Sequence, residues 1–251
     1  MKKGFWIVVQ DIIKKADVVL EVLDARMVEL TRNRKLEEYI KKIGRKQILI
    51  INKSDIVSKS VIKKIKKDYS KLDYILMSAK NLKSVNEFIK LIKSKINKEN
   101  IKVAVIGYPN TGKSTLINRL SKKGRAGTSS ESGFTRGLQL ITGKGNLTLF
   151  DTPGVVPYGD RDETRLGLMS GISPSKLKDP DLVAYKLIEI FRKNNPAALE
   201  KEYDIDPKLD SDEILCEIGK KKNMLLKKGI VDEKRAAVQL LIDWHKGKIK
   251  I

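Results

Sequence analysis

The first 165 residues alternate between two patterns of apolar and polar side chains. Short runs rich in β-branched residues predict strands at 18–23, 47–51, 74–77, 102–106, 138–141 and 147–150. Between the earlier runs lie charged stretches with the apolar spacing of amphipathic helices, at 33–43, 59–69 and 85–96. This alternation predicts βαβ units, and therefore an α/β fold with a mostly parallel, doubly wound sheet.

The pattern changes after about residue 164. Three amphipathic stretches without intervening strands predict helices from Asp179-Pro180-Asp181 through Phe191, over 211–219 and over 232–246. Gly219, Gly229 and Gly247 follow or end these stretches and are interpreted as helix stops. We therefore expect two domains, an α/β domain over 1–165 and a small all-helical domain over 166–251.

The charge of the chain points to a polyanionic partner. Lys and Arg total 52 against 31 Asp and Glu, a formal net charge of +21 over 251 residues. Residues 1–100 carry 25 of the basic and 12 of the acidic side chains, so most of the excess lies there. Such a field attracts nucleic acid. The alternative is that the excess of basic residues reflects a general composition rich in Lys and Ile and not a polyanionic partner.

Composition also limits the surroundings of the protein. Hydrophobic residues make up 41% of the chain, which is enough for a packed core. Cys216 is the single cysteine and cannot form an internal disulfide, which suits a reducing compartment. No apolar run approaches the ~20 residues that span a bilayer. We expect a cytoplasmic protein with no membrane partner, and a monomer.

A phosphate-binding loop is predicted where the strand at 102–106 meets the helix at 113–120. Residues 107–114 read G-Y-P-N-T-G-K-S and match the pattern G-x-x-x-x-G-K-[ST] in the strand–loop–helix context that it requires. Lys113 would bridge the β- and γ-phosphates, and the Ser114 hydroxyl would bind Mg²⁺. The nucleotide-binding residues predicted in this loop and helix are Asn110, Thr111, Gly112, Lys113, Ser114 and Thr115.

A second phosphate-side motif, D-T-P-G, follows the apolar strand at 147–150. Asp151 is placed to hold Mg²⁺ through water, as a carboxylate at the end of the neighbouring strand does in such sites. Gly154 could present its N–H to the γ-phosphate.

Two further motifs predict a guanine base as the ligand. Asp55 of N-K-S-D (52–55) can accept hydrogen bonds from the ring N–H and exocyclic amine of guanine, a donor pair that adenine lacks. The aliphatic stem of Lys53 can pack on the base, and Asn52 can tie this loop to the phosphate loop. In S-A-K (Ser78, Ala79, Lys80), a backbone N–H near Ala79 would reach guanine O6 while Lys80 lies against the ring.

The order of these motifs carries a resemblance. They are the motifs of translation-factor-class GTPases, but N-K-S-D and S-A-K precede the phosphate loop and D-T-P-G instead of following them. The chain resembles the circularly permuted GTPases of the YlqF/RbgA and YawG group, which are ribosome-assembly factors. Asp24-Ala25-Arg26 matches a D-A-R signature of that group. The resemblance implies a P-loop GTPase fold, GTP and GDP as ligands, Mg²⁺ as cofactor, and ribosomal RNA or a large-subunit precursor as partner.

The resemblance also implies a switch threonine and a catalytic set. Thr135 of G-F-T-R stands where the group has its Mg²⁺-binding threonine, with Thr128 as the competing choice. Lys113, Thr135 and Gly154 would then form the catalytic set. Val155 stands where Ras-like GTPases carry a water-orienting Gln, so we expect slow intrinsic hydrolysis. The one histidine, His245, is interpreted as an ordinary helix-end residue.

Two questions stay open at the level of sequence. Asn110 resembles the K⁺ ligand of K⁺-stimulated GTPases, but it could equally cap the loop. The partner of the GTPase is ribosomal RNA or a pre-ribosomal particle in the first hypothesis. The alternatives are a GTP-gated adaptor for an acidic protein and a GTPase involved in RNA modification.

Overall fold

A mixed six-stranded sheet forms the centre of the first part of the protein, within the residues 3–122, 140–152 and 162–251 that the computed structural model describes. Its strands are β1 (Val18–Asp24), β2 (Lys46–Asn52), β3 (Tyr74–Leu76), β4 (Ile101–Ile106), β5 (Leu140–Thr142) and β6 (Leu147–Asp151). Their spatial order is β3-β2-β1-β4-β6-β5, and every neighbouring pair is parallel except β5 and β6. The predicted mostly parallel α/β sheet is confirmed.

Helices cover both faces of this sheet. The helices along this part of the chain are α1 (Lys3–Lys15), α2 (Val28–Thr31), α3 (Arg34–Lys42), α4 (Lys59–Asp68), α5 (Leu82–Lys95) and α6 (Lys113–Leu120), and four of them, α1, α3, α5 and α6, pack on the sheet. One core joins α5 and α6 to the side chains of Leu20, Ile50 and Val105. A second core joins α1 and α3 to the opposite face, at Val19 and Ile106. Central strands buried on both faces explain why β1 and β4 read as nearly continuous apolar runs.

The C-terminal part is helical. It contains α7 (Glu163–Leu168), α8 (Pro180–Asn194), α9 (Ala197–Tyr203), α10 (Ser211–Lys221) and α11 (Glu233–Lys246). Phe191 of α8 meets Trp244 of α11 edge to face, with ring centroids 5.5 Å apart. The Trp244 Nε1–H donates to Leu168 O over 2.9 Å, so α11 holds the end of α7 as well as α8.

A buried carboxylate strengthens the packing of α11. Asp243 is fully buried and accepts hydrogen bonds from Tyr203, Gln239 and Lys248 at 2.9, 3.0 and 2.8 Å. Burial favours the neutral acid, but these three donors together lower the pKa of Asp243 below its ordinary value. The charge is therefore retained inside the helical packing.

The chain divides into two compact units. The first comprises Met1–Asp55 and Ile65–Asp160, and the second comprises Ile56–Lys64 and Arg161–Ile251. Within the second unit, the segment Ile56–Lys64 contacts the end of the chain, where Ser58 N–H donates to Ile251 O at 2.5 Å. The functional domains 1–165 and 166–251 stay a prediction.

Two details differ from the sequence-based expectations. The helix α1 was not predicted, although Val9, Ile12 and Ile13 form its buried face. Gly219 was interpreted as a helix stop, but α10 continues through it to Lys221. A Cβ on Gly219 would lie 2.3 Å from Val231 Cγ1, so this glycine allows close packing. Gly247, with φ +73°, does end α11.

No helix in the described ranges combines the length and the apolar character needed to cross a membrane.

Candidate nucleotide-binding site

Three loops of the candidate site leave the carboxyl ends of parallel strands in the first unit. The phosphate loop follows β4, the N-K-S-D loop follows β2, and the S-A-K loop follows β3. Because β1, β2, β3 and β4 are all parallel, these ends meet at one edge of the sheet. That edge is where open α/β sheets bind ligands.

Two glycines allow the phosphate loop to approach its neighbours. Gly107 has φ +143°, and a Cβ there would lie 2.4 Å from Val22 O of β1. Gly112 has φ +100°, and a Cβ there would lie 2.2 Å from Asn52 Nδ2. Neither position accommodates a side chain without displacement of backbone or of a buried amide. Gly112 is also the N-cap of α6, so the phosphate loop leads into a helix N-terminus, which favours a bound anion.

The side chains of the phosphate loop fall into a buried group and an exposed group. Lys113 is buried, and its Nζ donates to Tyr108 O over 2.6 Å. Thr111 is also buried, with its hydroxyl donating to the same carbonyl over 3.0 Å. Ser114 and Thr115 are exposed on the first turn of α6. The loop therefore brings a lysine ammonium and a helix N-terminus to the same place, which suits binding of a phosphate chain.

Asn52 joins all three loops. Its Nδ2 donates to Thr111 O of the phosphate loop at 2.9 Å, and its Oδ1 accepts from Ala79 N–H of the S-A-K loop at 2.8 Å. The predicted tie between Asn52 and the phosphate loop is confirmed, and the link to S-A-K was not foreseen. Because the Ala79 N–H already donates to Asn52, a contact of an N–H near Ala79 with guanine O6 stays a prediction.

The base-side residues differ in exposure. Asp55 lies in the 3₁₀ turn Ser54–Ile56 and is exposed, as is Lys80. Ser78 is buried beside Ala79. The Nζ of Lys53 pairs with Asp24 Oδ2 at 2.7 Å, a contact that the sequence did not indicate, and packing of the Lys53 stem on the base stays a prediction. The sequence showed Asp24 only as part of the D-A-R signature, and its contact with Lys53 could not be predicted from spacing.

The second phosphate-side motif is described in part. β6 ends at Asp151, which lies in register with Val105 of β4, the strand that leads into the phosphate loop. Thr152 is buried, and its hydroxyl donates to Val105 O at 2.5 Å. Asp151 is thus the last residue of the strand next to the phosphate-loop strand. Gly154, Val155, Thr135 and its alternative Thr128 lie outside the described residues.

The donor set at this edge suits a magnesium ion. Mg²⁺ prefers hard oxygen ligands and usually keeps several waters beside one or two protein groups and the substrate phosphates. The Ser114 hydroxyl is exposed beside the phosphate loop, and Asp151 ends the adjacent strand. Asn110, the candidate K⁺ ligand, is exposed in the same loop with φ +59°.

His245 belongs to the second unit, where it links two helices. It lies in the last turn of α11, and its Nε2–H donates to Gly167 O of α7 over 2.6 Å. A ring engaged in helix packing agrees with its interpretation as an ordinary helix-end residue.

Comparison with known proteins identifies the family. A family model described as RsgA GTPase matches residues 8–159, and one described as 50S ribosome-binding GTPase matches residues 102–226. Ribosome biogenesis GTPase A of Bacillus licheniformis is 30% identical over 92% of this chain and 87% of its own length. The chain belongs to the circularly permuted GTPases of the YlqF/RbgA and YawG group. In this permuted GTPase, N-K-S-D and S-A-K precede the phosphate loop and D-T-P-G along the chain.

Further relatives agree with this assignment. A GTP-binding protein of Methanocaldococcus jannaschii is 36% identical over 96% of this chain, and Nucleolar GTP-binding protein 2 of Pneumocystis carinii is 31% identical over 98%. The permuted GTPase spans 65% and 53% of the lengths of these two relatives. The crystal structure of GNP-bound YlqF from T. maritima superposes with a TM-score of 0.69 at 22% identity, covering 98% of this chain and 95% of that one, and so shares its fold.

Proposed function

We propose that this chain is a GTP-binding and GTP-hydrolysing switch that assists assembly of the large ribosomal subunit by binding ribosomal RNA or a precursor particle. The observation that carries the proposal is the double hydrogen bond of Asn52, which joins the base-side loops to the phosphate loop. A site built in this way suits a ligand that has both a guanine base and a phosphate chain. Membership of the GTPase family supports the same ligand.

Each predicted site residue then has a task. Asp55 selects guanine through two hydrogen bonds, and Lys53 and Lys80 pack against the base. Lys113 neutralises charge on the β- and γ-phosphates, and the N–H groups at the start of α6 bind the same phosphates. Asn110, Thr111, Gly112 and Thr115 complete the phosphate contacts, while Asn52 and Ser78 hold the loops in place.

Thr135 and Gly154 are proposed for the γ-phosphate on the basis of their motifs.

Hydrolysis breaks the bond between the γ-phosphorus and the β,γ-bridging oxygen as a water adds to that phosphorus. A magnesium ion bound by Ser114, Thr135 and Asp151 would stabilise the charge that develops on the phosphate oxygens. Val155 has an apolar side chain where Ras-like GTPases have Gln, so it cannot orient the water. We therefore expect slow turnover in isolation and acceleration on the correct partner.

The ribosomal partner is supported by the relatives and by charge. Ribosome biogenesis GTPase A is the name of the Bacillus licheniformis relative, and the family model that matches residues 102–226 is described as a 50S ribosome-binding GTPase. The net charge of +21 suits binding to RNA phosphates. An acidic protein partner and a role in RNA modification would use the same charge, so the experiment must separate them.

Co-sedimentation with large-subunit particles tests the proposal. The chain should pellet with immature or mature large subunits when a non-hydrolysable GTP analogue is present, and less with GDP. Binding to naked ribosomal RNA should fall steeply between 50 and 200 mM salt, on the order of 10³-fold or more if about six phosphates are contacted. If the chain binds GTP but has no affinity for RNA or for ribosomal subunits, the result would favour the alternative function, a GTP-gated adaptor for an acidic protein. Salt-steep RNA binding without subunit binding would favour RNA modification.

A further inference from the structure

The carboxylate of Asp24 is the centre of a buried ionic cluster at the edge of the sheet that carries the nucleotide loops. Asp24 ends β1 and lies in register with Asn52, the last residue of β2. Its Oδ1 accepts from the backbone N–H and the Nε–H of Arg26, both at 3.0 Å. Its Oδ2 accepts from Arg26 Nη2 and Lys53 Nζ, both at 2.7 Å. Four donors satisfy the acceptor capacity of the carboxylate.

The charges of this cluster depend on one another. Asp24 and Arg26 are each 6% exposed. Burial alone would raise the pKa of Asp24, but Arg26 and Lys53 lower it to about 2. Burial lowers the pKa of Lys53, and Asp24 opposes that change. Removing one member of such a cluster leaves the others buried without their counter-charge.

The backbone of Lys53 is fixed on both sides. Lys53 has φ +65°, a left-handed conformation that residues with a side chain seldom adopt. The carbonyl of the preceding residue, Asn52, accepts from Ala25 N–H at 2.8 Å. The N–H of the following residue, Ser54, donates to Met77 O at 3.2 Å. Neighbouring strands therefore hold the unusual conformation from either side.

The side chain of Lys53 is fixed at its far end but is not buried completely. Its exposed fraction is 20%, whereas that of the Asp24 side chain is 8%. The four-carbon stem runs from the end of β2 to the ion pair at the end of β1. A lysine stem held in this way presents a fixed apolar surface while its ammonium group remains paired. A free lysine would lose rotamer freedom on packing against a ligand, and this one has already lost it.

We propose that Asp24 and Arg26 are positioning residues for Lys53, and that they hold its stem ready to pack against the guanine base. The proposal rests on the proposed function, because it assumes that guanine binds beside N-K-S-D. It gives the D-A-R turn a task in nucleotide affinity: Arg26 fixes the carboxylate of Asp24, Asp24 fixes the ammonium of Lys53, and Ala25 fixes the Asn52 carbonyl. None of these three residues needs to contact the nucleotide itself.

A double-mutant cycle on the full chain separates this role from a purely structural ion pair. The dissociation constants of GDP and IDP are measured for the wild type, Asp24→Asn, Lys53→Met and the double variant. Asp24→Asn should weaken GDP and IDP alike, by roughly tenfold, since stacking does not depend on the exocyclic amine. Asp55→Asn serves as the contrast, because it should change the ratio of GDP to IDP affinity. On the Lys53→Met background, Asp24→Asn should have little further effect.

The outcomes that decide the proposal are distinct. The positioning role would be overturned if Asp24→Asn lowered GDP affinity equally in the wild-type and Lys53→Met backgrounds. It would also be overturned if Asp24→Asn lowered GDP affinity in neither background. A wild-type chain that does not bind GDP would overturn the proposed function instead. If Asp24→Asn does not fold, Arg26→Lys replaces it in the same cycle, because it keeps a cation near Asp24 but removes the two-pronged clamp. Its effect should again depend on Lys53.

Discussion

Asn52 Nδ2 lies 2.9 Å from the carbonyl oxygen of Thr111, 59 residues further along the chain. Asn52 Oδ1 also accepts a hydrogen bond from Ala79 N–H, so one buried amide connects the phosphate loop to the S-A-K loop. Asn52 is 3% exposed, so water cannot replace either hydrogen bond without rearrangement. The strength of nucleotide binding should therefore depend on a residue that supports both loops.

Replacing Asn52 should weaken both folding and nucleotide binding. Asn52→Ala leaves the Thr111 carbonyl and the Ala79 N–H buried without partners, which costs about 1–3 kcal/mol for each unsatisfied group. Denaturant unfolding and a fluorescent GDP titration measure the two effects. Asn52→Asp is the matched variant: it keeps the acceptor for Ala79, removes the donor to Thr111 and adds a buried negative charge, so it should weaken folding as well. An Asn52→Ala variant with unchanged GDP affinity would contradict this role.

Nucleotide choice should change with Asp55. We expect GTP and GDP to bind and ATP not to bind. Asp55→Asn should weaken guanine binding and shift preference towards xanthine nucleotides, because the added carbonyl of xanthine can accept from the new amide. Competition titrations with GDP, XDP and ADP measure the change. Asp68→Asn, an exposed acid at the end of α4, is the control and should bind GDP normally. ATP affinity equal to GTP affinity in the wild type would refute the guanine assignment.

The cation dependence of hydrolysis tests Asn110. If its side chain binds K⁺ beside the phosphates, hydrolysis in KCl should exceed hydrolysis in NaCl at equal ionic strength, because the bound cation stabilises developing charge. Asn110→Ala should remove that difference while retaining GDP binding. Equal rates in the two salts would instead assign Asn110 to capping the loop.

Removing the His245 ring should affect stability and leave turnover unchanged. His245→Ala deletes the hydrogen bond to Gly167 O, a loss of about 0.5–1.5 kcal/mol in the free energy of unfolding. GTP turnover per folded molecule should equal that of the wild type. His245→Gln can still donate to the same carbonyl and should recover part of the stability. Loss of hydrolysis with intact GDP binding would show that the histidine has a catalytic task.

Stability should fall as the pH rises from about 5 to 9, because of Glu21. This residue of β1 is fully buried, and burial, followed by the nearby Glu37, raises its pKa to about 8 from an ordinary value of 4.5. The folded chain therefore keeps a proton that the unfolded chain releases above about pH 4.5. The stabilisation is complete below that pH and is lost as the pH rises through about 8.

Denaturant unfolding at pH 6 and pH 9 measures this effect. In the Glu21→Gln variant the difference between the two pH values should be much smaller, because glutamine does not titrate. Glu38→Gln, in the same part of the fold but on α3, is the control and should retain the wild-type pH dependence. A wild type that loses no more stability between pH 6 and pH 9 than Glu21→Gln does would show that the folded chain does not hold this proton at pH 6.

The motifs at strand ends could be placed from sequence because they depend on local geometry. A glycine-rich loop between a strand and a helix, and polar residues after parallel strands, have few structural solutions. The antiparallel pairing of β5 with β6 was not predicted, because alternation within three residues does not set direction. The pairing of Asp24 with Lys53 depends on β1 and β2 being neighbours in register, which no local pattern reveals.

The helix α1 and the short segment after Asp55 show a second limit of sequence reasoning. The 13 residues of α1 include apolar side chains all around, with Ile7 63% exposed and Ile13 buried, so a single apolar stripe is hard to recognise. Ile56–Lys64 continues directly from the N-K-S-D loop, yet it belongs to the second unit, where Ser58 N–H donates to Ile251 O. Tertiary contacts between distant residues decide both cases.

The membership of Ile56–Lys64 in the second unit makes the chain interleaved, since it passes from one unit to the other three times. The peptide bond between Asp55 and Ile56 is one of these crossings, so the predicted guanine-selecting residue is covalently adjacent to the helical unit. Cutting the chain once between Asp160 and Arg161 would not divide it into its two units. The larger fragment would retain residues 56–64, and the smaller one would retain Ile251, whose carbonyl accepts from Ser58. Neither piece alone would therefore hold the complete second unit.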